Sequence, residues 1–527
     1  MQSDSLDRTI KMFRYVLLAL GILFVLFYIA VALIRMRYPF ELEWIEGSCV
    51  DHVVRVMSGQ QLYVSPSIDF TPFLYTPLYF YIAAVVAKII GVGFVPLRLV
   101  SFAASLGCFL VIYLIAKRET GKPYYGLLAA GMFAATFIIG GQWFDIGRPD
   151  TLFVFFALLS VYLLLIRPSP ATFAAAGLSL VLSFFTKQSA LVIAAPMLIA
   201  SYFASRKYFL YFVGVVVVGI GGGIWAFNSA SDGWFSYYIL RMPSQHYILK
   251  GRFIYYWIQD LMYPLPIACA LTLGFLYFML KKETVRRGLF YLFVTMGFVI
   301  GAWTARFHSG AYLNVLLPVY SILSIMFALG LHRFLEFIGR DNASNLTRVF
   351  TGFLYVICLI QFGSLLYNPN FSIPKSYDLE AGNRFVKLLS TFDGEVYVPA
   401  HGYIPTLAGK RSHAHVTALH DITRAMHRDQ VAAKLMAEIK EAIRSQRFSA
   451  IILDKGQYIA DLEPYYVAKK NLFDVKTDFV FWPVTGLPSR PETIYVPNSG
   501  DEIPMDQSDR VKMERSLQHV PMERQTQ

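Results

Sequence analysis

The sequence predicts an α-helical protein that crosses a membrane many times and ends in a small α/β domain. Of its 527 residues, 56% are hydrophobic and 16% are charged, whereas roughly 25% of an ordinary soluble domain is charged. Apolar runs close to the length that crosses a bilayer, about 20 residues, recur between Met12 and Tyr367. From Ser372 onward, short apolar pieces alternate with charges, which indicates a second, water-soluble domain.

The apolar runs can be oriented by the charges that flank them. The first run, Phe13 to Ile34, is too long for the apolar part of a signal peptide, so we predict a retained anchor. The short aromatic segment Thr76 to Ile90 is predicted to lie along the outer interface. Counting it as a span would place the basic loop Lys117 to Lys122 outside, against the positive-inside rule. The prediction is about eleven spans, with a cytoplasmic N-terminus and an extracytoplasmic C-terminal domain, as in a bacterial inner (plasma) membrane.

The same patterns divide the chain into three regions. We predict a transmembrane domain over 1–371, whose outer loop 35–97 carries interfacial helices, a soluble extracytoplasmic α/β domain over 372–500, and a disordered tail over 501–527. Within the soluble domain, alternating apolar residues predict two strands and one helix. These segments are 395–399, 449–454 and 431–447.

The net charge of +12 does not indicate a nucleic-acid site, because much of the basic excess lies in short loops between spans. The expected surroundings are the lipid bilayer, and no nucleic-acid partner is predicted. The four cysteines are scattered and have no metal-ligand or disulfide spacing.

Acidic residues collect in the first two outer loops. The first loop carries Glu41, Glu43 and Glu46, and if it is helical the last two share one face. Asp145, Arg148 and Asp150 occupy the second loop, at the start of the next span. A solvated loop face for the first group, and a helix-capping ion pair for Arg148 with Asp150, are the structural alternatives. Arg35 and Arg37 are interpreted as the polar end of the first span.

Basic residues are predicted on the same side of the membrane. Lys187 ends a span, where it could simply reach toward the interface, and Arg306 and His308 lie between two later spans. Arg98, Arg241 and Asp260 are candidates of second rank. Acids and bases on one aqueous rim suit displacement at a carbon bonded to a lipid-borne phosphate, since a carboxylate can take a hydroxyl proton and fixed cations can stabilise the departing phosphate.

Five of the ten histidines lie close together in the sequence, namely His401, His413, His415, His420 and His427. A metal site there is one hypothesis, but no ligand motif such as His-Glu-x-x-His is present, and a surface loop or an acceptor groove is favoured.

Short motifs in this chain resemble those of the GT-C membrane glycosyltransferases, which include protein O-mannosyltransferases and the lipid A aminoarabinose transferase. Glu43-Trp-Ile-Glu46-Gly resembles the acidic motif of the first loop, although Ile45 occupies the place of the usual aspartate. Four further pieces resemble later motifs of the family. They are Tyr75-Thr-Pro-Leu-Tyr79, Arg148-Pro-Asp150 with Phe185-Thr-Lys187-Gln, and His308-Ser-Gly-Ala-Tyr312-Leu-Asn-Val-Leu-Leu-Pro318.

The resemblance implies an inverting transfer of a sugar from a polyprenyl-phosphate donor to a glycan, lipid or protein acceptor on the extracytoplasmic side. It implies a base, Glu43 or Glu46, without deciding between them. Asp145 and Asp150 would orient the acceptor. Arg148, Lys187, Arg306 and His308 would hold the phosphate. An optional divalent cation, Mg²⁺ or Mn²⁺, would be held by Glu46, Asp145 and Asp150.

Two other classes of function compete with this interpretation. A lipid or polysaccharide transporter, or flippase, needs charges along a path inside its spans, and few mid-span charges occur here. A non-catalytic membrane scaffold would tolerate the loss of Glu43, Glu46 and Lys187.

Overall fold

The structure is a computed structural model that describes residues 2–281, 284–339, 344–424, 429–473 and 479–498. The predicted tail 501–527 and His427 lie outside the described residues. The first helices are α1 (Gln2–Arg35), α2 (Glu46–Met57), α3 (Leu78–Ile90), α4 (Phe94–Thr120), α5 (Pro123–Ala135), α6 (Asp150–Leu165), α7 (Pro170–Thr186), α8 (Ala190–Ala204) and α9 (Phe209–Ala230).

A short, broken stretch follows and leads to four further long helices. The short helices are α10 (Trp234–Ser236), α11 (Met242–Ser244) and α12 (Arg252–Tyr255), with π-helical turns at Tyr237–Arg241 and Tyr256–Met262. The longer helices are α13 (Pro266–Met279), α14 (Val285–Arg306), α15 (Leu317–Ile338) and α16 (Asn345–Gly363), and a 3₁₀ turn, Leu313–Leu316, precedes α15.

Six of the described helices are long and apolar enough to cross a bilayer, namely α1, α4, α9, α14, α15 and α16. A seventh crossing results if the pair Arg252–Met262 and Pro266–Met279, bent by 95°, counts as one span. The apolar helices α5 to α8 contain only 13, 16, 17 and 15 residues. By length and composition the described helices therefore supply six or seven spans, fewer than the eleven or so predicted. The helix α3, with 13 residues, is also shorter than a span, and its position along the outer interface stays a prediction.

The ends of α6 and α7 bring two predicted site residues together. Pro149 immediately precedes α6, and Lys187 immediately follows α7 in an extended conformation. These two helices pack against each other and are joined by a tight connection, so the start of one lies beside the end of the other. Asp150 and Lys187 consequently meet, although 37 residues separate them.

The C-terminal part contains a four-stranded sheet with helices around it. Its elements are α17 (Ser376–Ser390), β1 (Val396–Tyr397), α18 (Ile404–Leu407), α19 (Val416–Thr423), α20 (Gln430–Arg444), β2 (Ala450–Asp454), β3 (Tyr466–Asn471) and β4 (Pro491–Pro497). The strand order is β1-β2-β4-β3; β1 and β2 are parallel, whereas β4 is antiparallel to both of its neighbours. The two predicted strands and the predicted helix thus correspond to β1, β2 and α20.

The C-terminal part shares a hydrophobic core with the first outer loop. Val50 of α2 and Phe73 lie in the same buried cluster as Leu435 of α20 and Ile451 of β2. Gly47 and Gly402 permit this close approach, because a Cβ atom on Gly402 would lie 2.1 Å from Ser48 Oγ. The loop that carries Glu41, Glu43 and Glu46 is therefore packed against the C-terminal part of the chain.

Candidate functional site

A cavity of about 830 Å³ lies where the ends of α7 and α14 face the first outer loop and α19. Of the eight residues predicted from the sequence, Arg148, Lys187 and His308 line this cavity. Its wall also contains apolar side chains, among them Leu191 and Leu240, which are partly exposed on the outside of the molecule. The cavity therefore combines cations with an apolar surface.

Glu43 is buried beside Arg148, which lines the cavity, and one of its carboxylate oxygens is free. Its Oε2 is 2.9 Å from an Arg148 guanidinium nitrogen and accepts the Ile45 backbone N–H at 3.2 Å. Its Oε1 is buried and has no hydrogen-bond partner among the described residues. Burial raises the pKa of Glu43 to about 7, against the opposing effect of Arg148. A carboxyl group with this pKa can exchange a proton near neutral pH.

Glu46 is engaged on both oxygens. Arg98 donates to Oε1 at 2.9 Å and to Oε2 at 2.7 Å, and the backbone N–H groups of Gly147 and Leu42 donate at 2.7 and 2.9 Å. Arg98 also donates to backbone carbonyls, including that of Phe40 at 2.6 Å. The buried Glu46–Arg98 pair therefore connects both outer loops to α4, because Gly147 of the second loop donates to the same carboxylate. The condition for Glu43 and Glu46 to share a helical face is not met, because α2 begins only at Glu46.

Asp145 forms a buried ion pair with Arg35. The guanidinium donates to its two carboxylate oxygens at 2.6 and 2.7 Å, and neither side chain is exposed by more than 1%. The interpretation of Arg35 as only the polar end of α1 is therefore wrong. The positive charge of Arg35 stabilises the folded protein, because burial of the Asp145 carboxylate without a cation would lower the free energy of unfolding.

Arg148 and Lys187 form the cationic end of the cavity, and Asp150 pairs with Lys187. Lys187 Nζ lies 2.5 Å from Asp150 Oδ1, and the Asn314 amide donates to the same oxygen at 2.8 Å. Arg148 donates to the Tyr75 hydroxyl and lies over the rings of Tyr75 and Trp143. Its Nε atom, like Asp150 Oδ2, is buried and lacks a hydrogen-bond partner in the part of the chain that the structure describes. Arg148 and Lys187 thus line the same cavity, and each has hydrogen-bond donors left over from its contacts with the described residues.

Arg306 and His308 occupy different positions, although the sequence grouped them. Arg306 pairs with Asp260 at 2.7 Å and so braces α14 against the π-helical turn. His308 lines the cavity, and its Nδ1 is a buried atom without a partner among the residues described. Burial, together with the nearby His246, lowers the pKa of His308.

The three acids proposed for an optional cation do not fit that role. Glu46 and Asp145 are neutralised by guanidinium groups, and Lys187 occupies one oxygen of Asp150. Over the described ranges, no group of three His, Cys, Asp or Glu side chains is arranged to hold a metal ion. We therefore derive no chemical step through a metal.

The histidines of the C-terminal part have separate partners. His401 lies between Glu41 Oε2, at 2.6 Å, and Asp454 Oδ1, at 3.0 Å, and Ser489 donates to the other oxygen of Asp454 at 2.5 Å. Burial opposes protonation of His401, but the two carboxylates outweigh it and raise its pKa to about 10. A charged imidazole thus joins the first outer loop to β2.

Other histidines pair elsewhere. His413 contacts Glu395 at 3.1 Å, and His415 Nε2 lies 2.9 Å from the backbone oxygen of Ala400. His420 lines the cavity.

Sequence reasoning missed several of these contacts. Asn314 and Tyr75 lie within motifs quoted above, and Arg98, ranked second, carries the main contact to Glu46. A charged residue in an apolar stretch was the available signal for Arg98. His246 and Asp421, which also line the cavity, lie in segments without a motif.

The chain is similar to known proteins in two ways. Residues 74–221, less than a third of the chain, match the family model described as dolichyl-phosphate-mannose-protein mannosyltransferase. A search of curated proteins found no match.

Solved structures are similar over most of the chain. ArnT from Cupriavidus metallidurans, bound to undecaprenyl phosphate, is 12% identical with a TM-score of 0.56, covering 91% of this chain and 98% of that one. AglB, the oligosaccharyltransferase of Archaeoglobus fulgidus, in complex with an inhibitory peptide and a dolichol-phosphate, is 12% identical with a TM-score of 0.50, covering 84% and 69%. The same archaeal enzyme tethered to an acceptor peptide is 11% identical with a TM-score of 0.53, over the same shares.

These identities are low, so the likeness concerns the fold. Together with the apolar helices and the matched segment, it leads to one conclusion. The chain is a helical membrane protein with the GT-C fold of membrane glycosyltransferases.

Proposed function

We propose that this chain transfers a sugar, with inversion, from a polyprenyl-phosphate donor to an acceptor on the extracytoplasmic side of the plasma membrane, the inner membrane in a bacterium. The observation that carries the proposal is the cavity in which Arg148 and Lys187 converge beside Glu43. The undecaprenyl phosphate and dolichol-phosphate bound to the similar structures support a lipid phosphate as ligand.

The cationic end of the cavity suits the phosphate of such a donor. Arg148 Nε and the Lys187 ammonium can donate charge-assisted hydrogen bonds, and neutral His308 can add another. The partly exposed Leu191 and Leu240 extend the cavity wall toward the outside of the helices. A polyprenyl chain would lie against this apolar side, in contact with the bilayer.

The transfer is a displacement at the anomeric carbon. The acceptor hydroxyl oxygen forms a bond to that carbon while its bond to the phosphate oxygen breaks, and the electron pair leaves with the polyprenyl phosphate. Glu43 Oε1 takes the hydroxyl proton, and Arg148 and Lys187 stabilise the charge on the leaving phosphate. Attack opposite the leaving group inverts the configuration.

Glu43 is the better candidate for the base than Glu46. One Glu43 oxygen is free, whereas both Glu46 oxygens accept hydrogen bonds. Asp145 has the same limitation as Glu46, since Arg35 holds both of its oxygens. Asp150 then positions Lys187, and Glu46 positions the loop that carries Glu43.

Transfer from defined donors tests the proposal. The purified chain in nanodiscs is incubated with radiolabelled polyprenyl-phosphate mannose, glucose, galactose, arabinose and aminoarabinose, together with membranes from cells that lack the protein. Transfer of label to membrane material from one donor, and its loss in Lys187→Ala, is the expected result. If folded protein released the labelled sugar from none of these donors, the proposal would be contradicted.

A further inference from the structure

A second polar wall of the cavity comes from parts of the chain that the proposed chemistry does not use. Thr417, His420 and Asp421 of α19 line it, together with His246 from the loop after α11. The helix α19 belongs to the C-terminal part, whereas Arg148 and Lys187 lie at the ends of the apolar helices α6 and α7. The two ends of the cavity therefore come from different parts of the protein, one from apolar helices and one from the C-terminal part.

The second wall is held together by a small polar network. Arg424 donates to Asp421 Oδ1 at 2.8 Å and to Ser309 Oγ at 3.1 Å. His246 Nε2 lies 3.4 Å from the same Asp421 oxygen but without hydrogen-bond geometry. Three segments distant in sequence thus place their polar groups around one space.

Several polar atoms around this space are unsatisfied. Within the described residues, Thr417 Oγ1, His246 Nε2 and Gln188 Oε1 are buried without hydrogen-bond partners, and all three residues line the cavity. The orientation of Gln188 is fixed, since its amide nitrogen donates to the Leu74 carbonyl at 2.5 Å. Buried polar groups are nearly always paired, so a cluster of unpaired atoms in a cavity indicates a ligand with matching groups.

The kinds of atoms in this wall identify the chemistry of that ligand. Gln188 Oε1 and the Asp421 carboxylate can only accept hydrogen bonds. An ionised phosphate has no hydrogen to offer them, whereas a hydroxyl both donates and accepts. A neutral imidazole at His420, whose pKa is lowered by burial, likewise both donates and accepts. The aromatic rings of Trp44 and Tyr312 add faces on which a sugar ring can pack.

We infer that the wall around Thr417, His246 and Asp421 is an acceptor subsite that binds the hydroxyl groups of a neutral sugar, so that the acceptor is a glycan. This inference rests on the proposed function and names its acceptor class. A donor lipid reaches the cavity from the bilayer. The wall that the C-terminal part contributes is therefore assigned to the acceptor, which arrives from water.

Binding of simple sugars tests the inference directly. Saturation-transfer NMR is recorded on the full chain in nanodiscs with the methyl glycosides of mannose, galactose, glucose and arabinose, each with saturating undecaprenyl phosphate to occupy the donor end. At least one glycoside is expected to bind. Asp421→Asn and Thr417→Val are expected to weaken that binding by about tenfold, the loss of one or two hydrogen bonds. The surface variant Lys440→Ala, from an exposed ion pair, is expected to bind like the unaltered protein.

Three results would overturn the inference. They are the absence of binding of any glycoside to folded protein, binding that survives both Asp421→Asn and Thr417→Val, and displacement of the bound glycoside when an intact polyprenyl-phosphate sugar replaces undecaprenyl phosphate, which would assign this wall to the sugar of the donor. Unchanged melting temperatures of the two variants establish that they fold. Failure of the proposed function is separate, because it appears as an absence of label release from every polyprenyl-phosphate sugar, whether or not a glycoside binds.

Discussion

Glu43 and Glu46 are three positions apart, yet their surroundings give them different tasks. Glu43 keeps a free oxygen and a pKa near neutrality, whereas Glu46 is saturated by Arg98 and two backbone N–H groups. The sequence could place both acids on the outer side, but not this difference. Arg98 lies 52 residues from Glu46, and only the fold brings them together.

Replacing Glu46 with glutamine is expected to reduce stability. The amide cannot neutralise the buried Arg98, and breaking a buried pair of this kind costs about 3–5 kcal/mol. Thermal unfolding in detergent, followed by tryptophan fluorescence, measures the effect, with Lys440→Ala as the exposed-pair control. A melting temperature equal to that of the control would contradict the structural role of Glu46.

The pKa of Glu43 predicts the pH dependence of transfer. A base must be ionised to accept a proton, and burial raises the pKa of this carboxyl to about 7. We therefore expect kcat/KM to rise with pH through about 7 and then to level off. The measurement uses the donor found to be active. If kcat/KM did not change with pH across that range, Glu43 would be excluded as the group that titrates.

Lys187 is expected to act mainly on donor binding. Its ammonium lies at the cavity wall and is shared with Asp150. In Lys187→Ala, the loss of one charge-assisted hydrogen bond is expected to weaken undecaprenyl phosphate binding by about 10- to 100-fold. Competition against a labelled polyprenyl phosphate measures this, and unchanged affinity would remove Lys187 from the phosphate site.

The contact between the first outer loop and β2 rests on one buried histidine. His401 lies between Glu41 and Asp454, and His401→Ala would leave two buried carboxylates without their cation. We expect a loss of about 3–5 kcal/mol in stability, and faster proteolysis between the membrane helices and the sheet. If His401→Ala melted and was cleaved like Lys440→Ala, this contact would not be what holds the C-terminal part on the loop.

Across the whole chain, the sequence predicted what depends on hydropathy and charge. The apolar helices, the non-spanning segment α3, and the strands β1 and β2 all follow from local patterns. Arg148 and Lys187 line one cavity, which agrees with the prediction that they lie on the same side of the membrane. Helix ends could not be predicted as well, since an apolar turn looks like an apolar helix.

Pairing between distant residues could not be predicted either. Arg35 and Asp145 are 110 residues apart, and Asp260 and Arg306 are 46 apart, with no pattern linking either pair. The wall formed by α19 depends on how the C-terminal part sits on the first outer loop, which is set by the shared core and not by a motif.

The central claim is that Glu43 takes the acceptor proton beside a cationic cavity. Its most direct test is the single-turnover rate of sugar transfer by Glu43→Gln and by unaltered protein, with donor affinity and melting temperature measured on the same samples. The account predicts a rate lower by about 10²- to 10⁴-fold, with donor affinity changed far less and the fold intact. A well-folded Glu43→Gln protein that transfers sugar at the unaltered rate would contradict it.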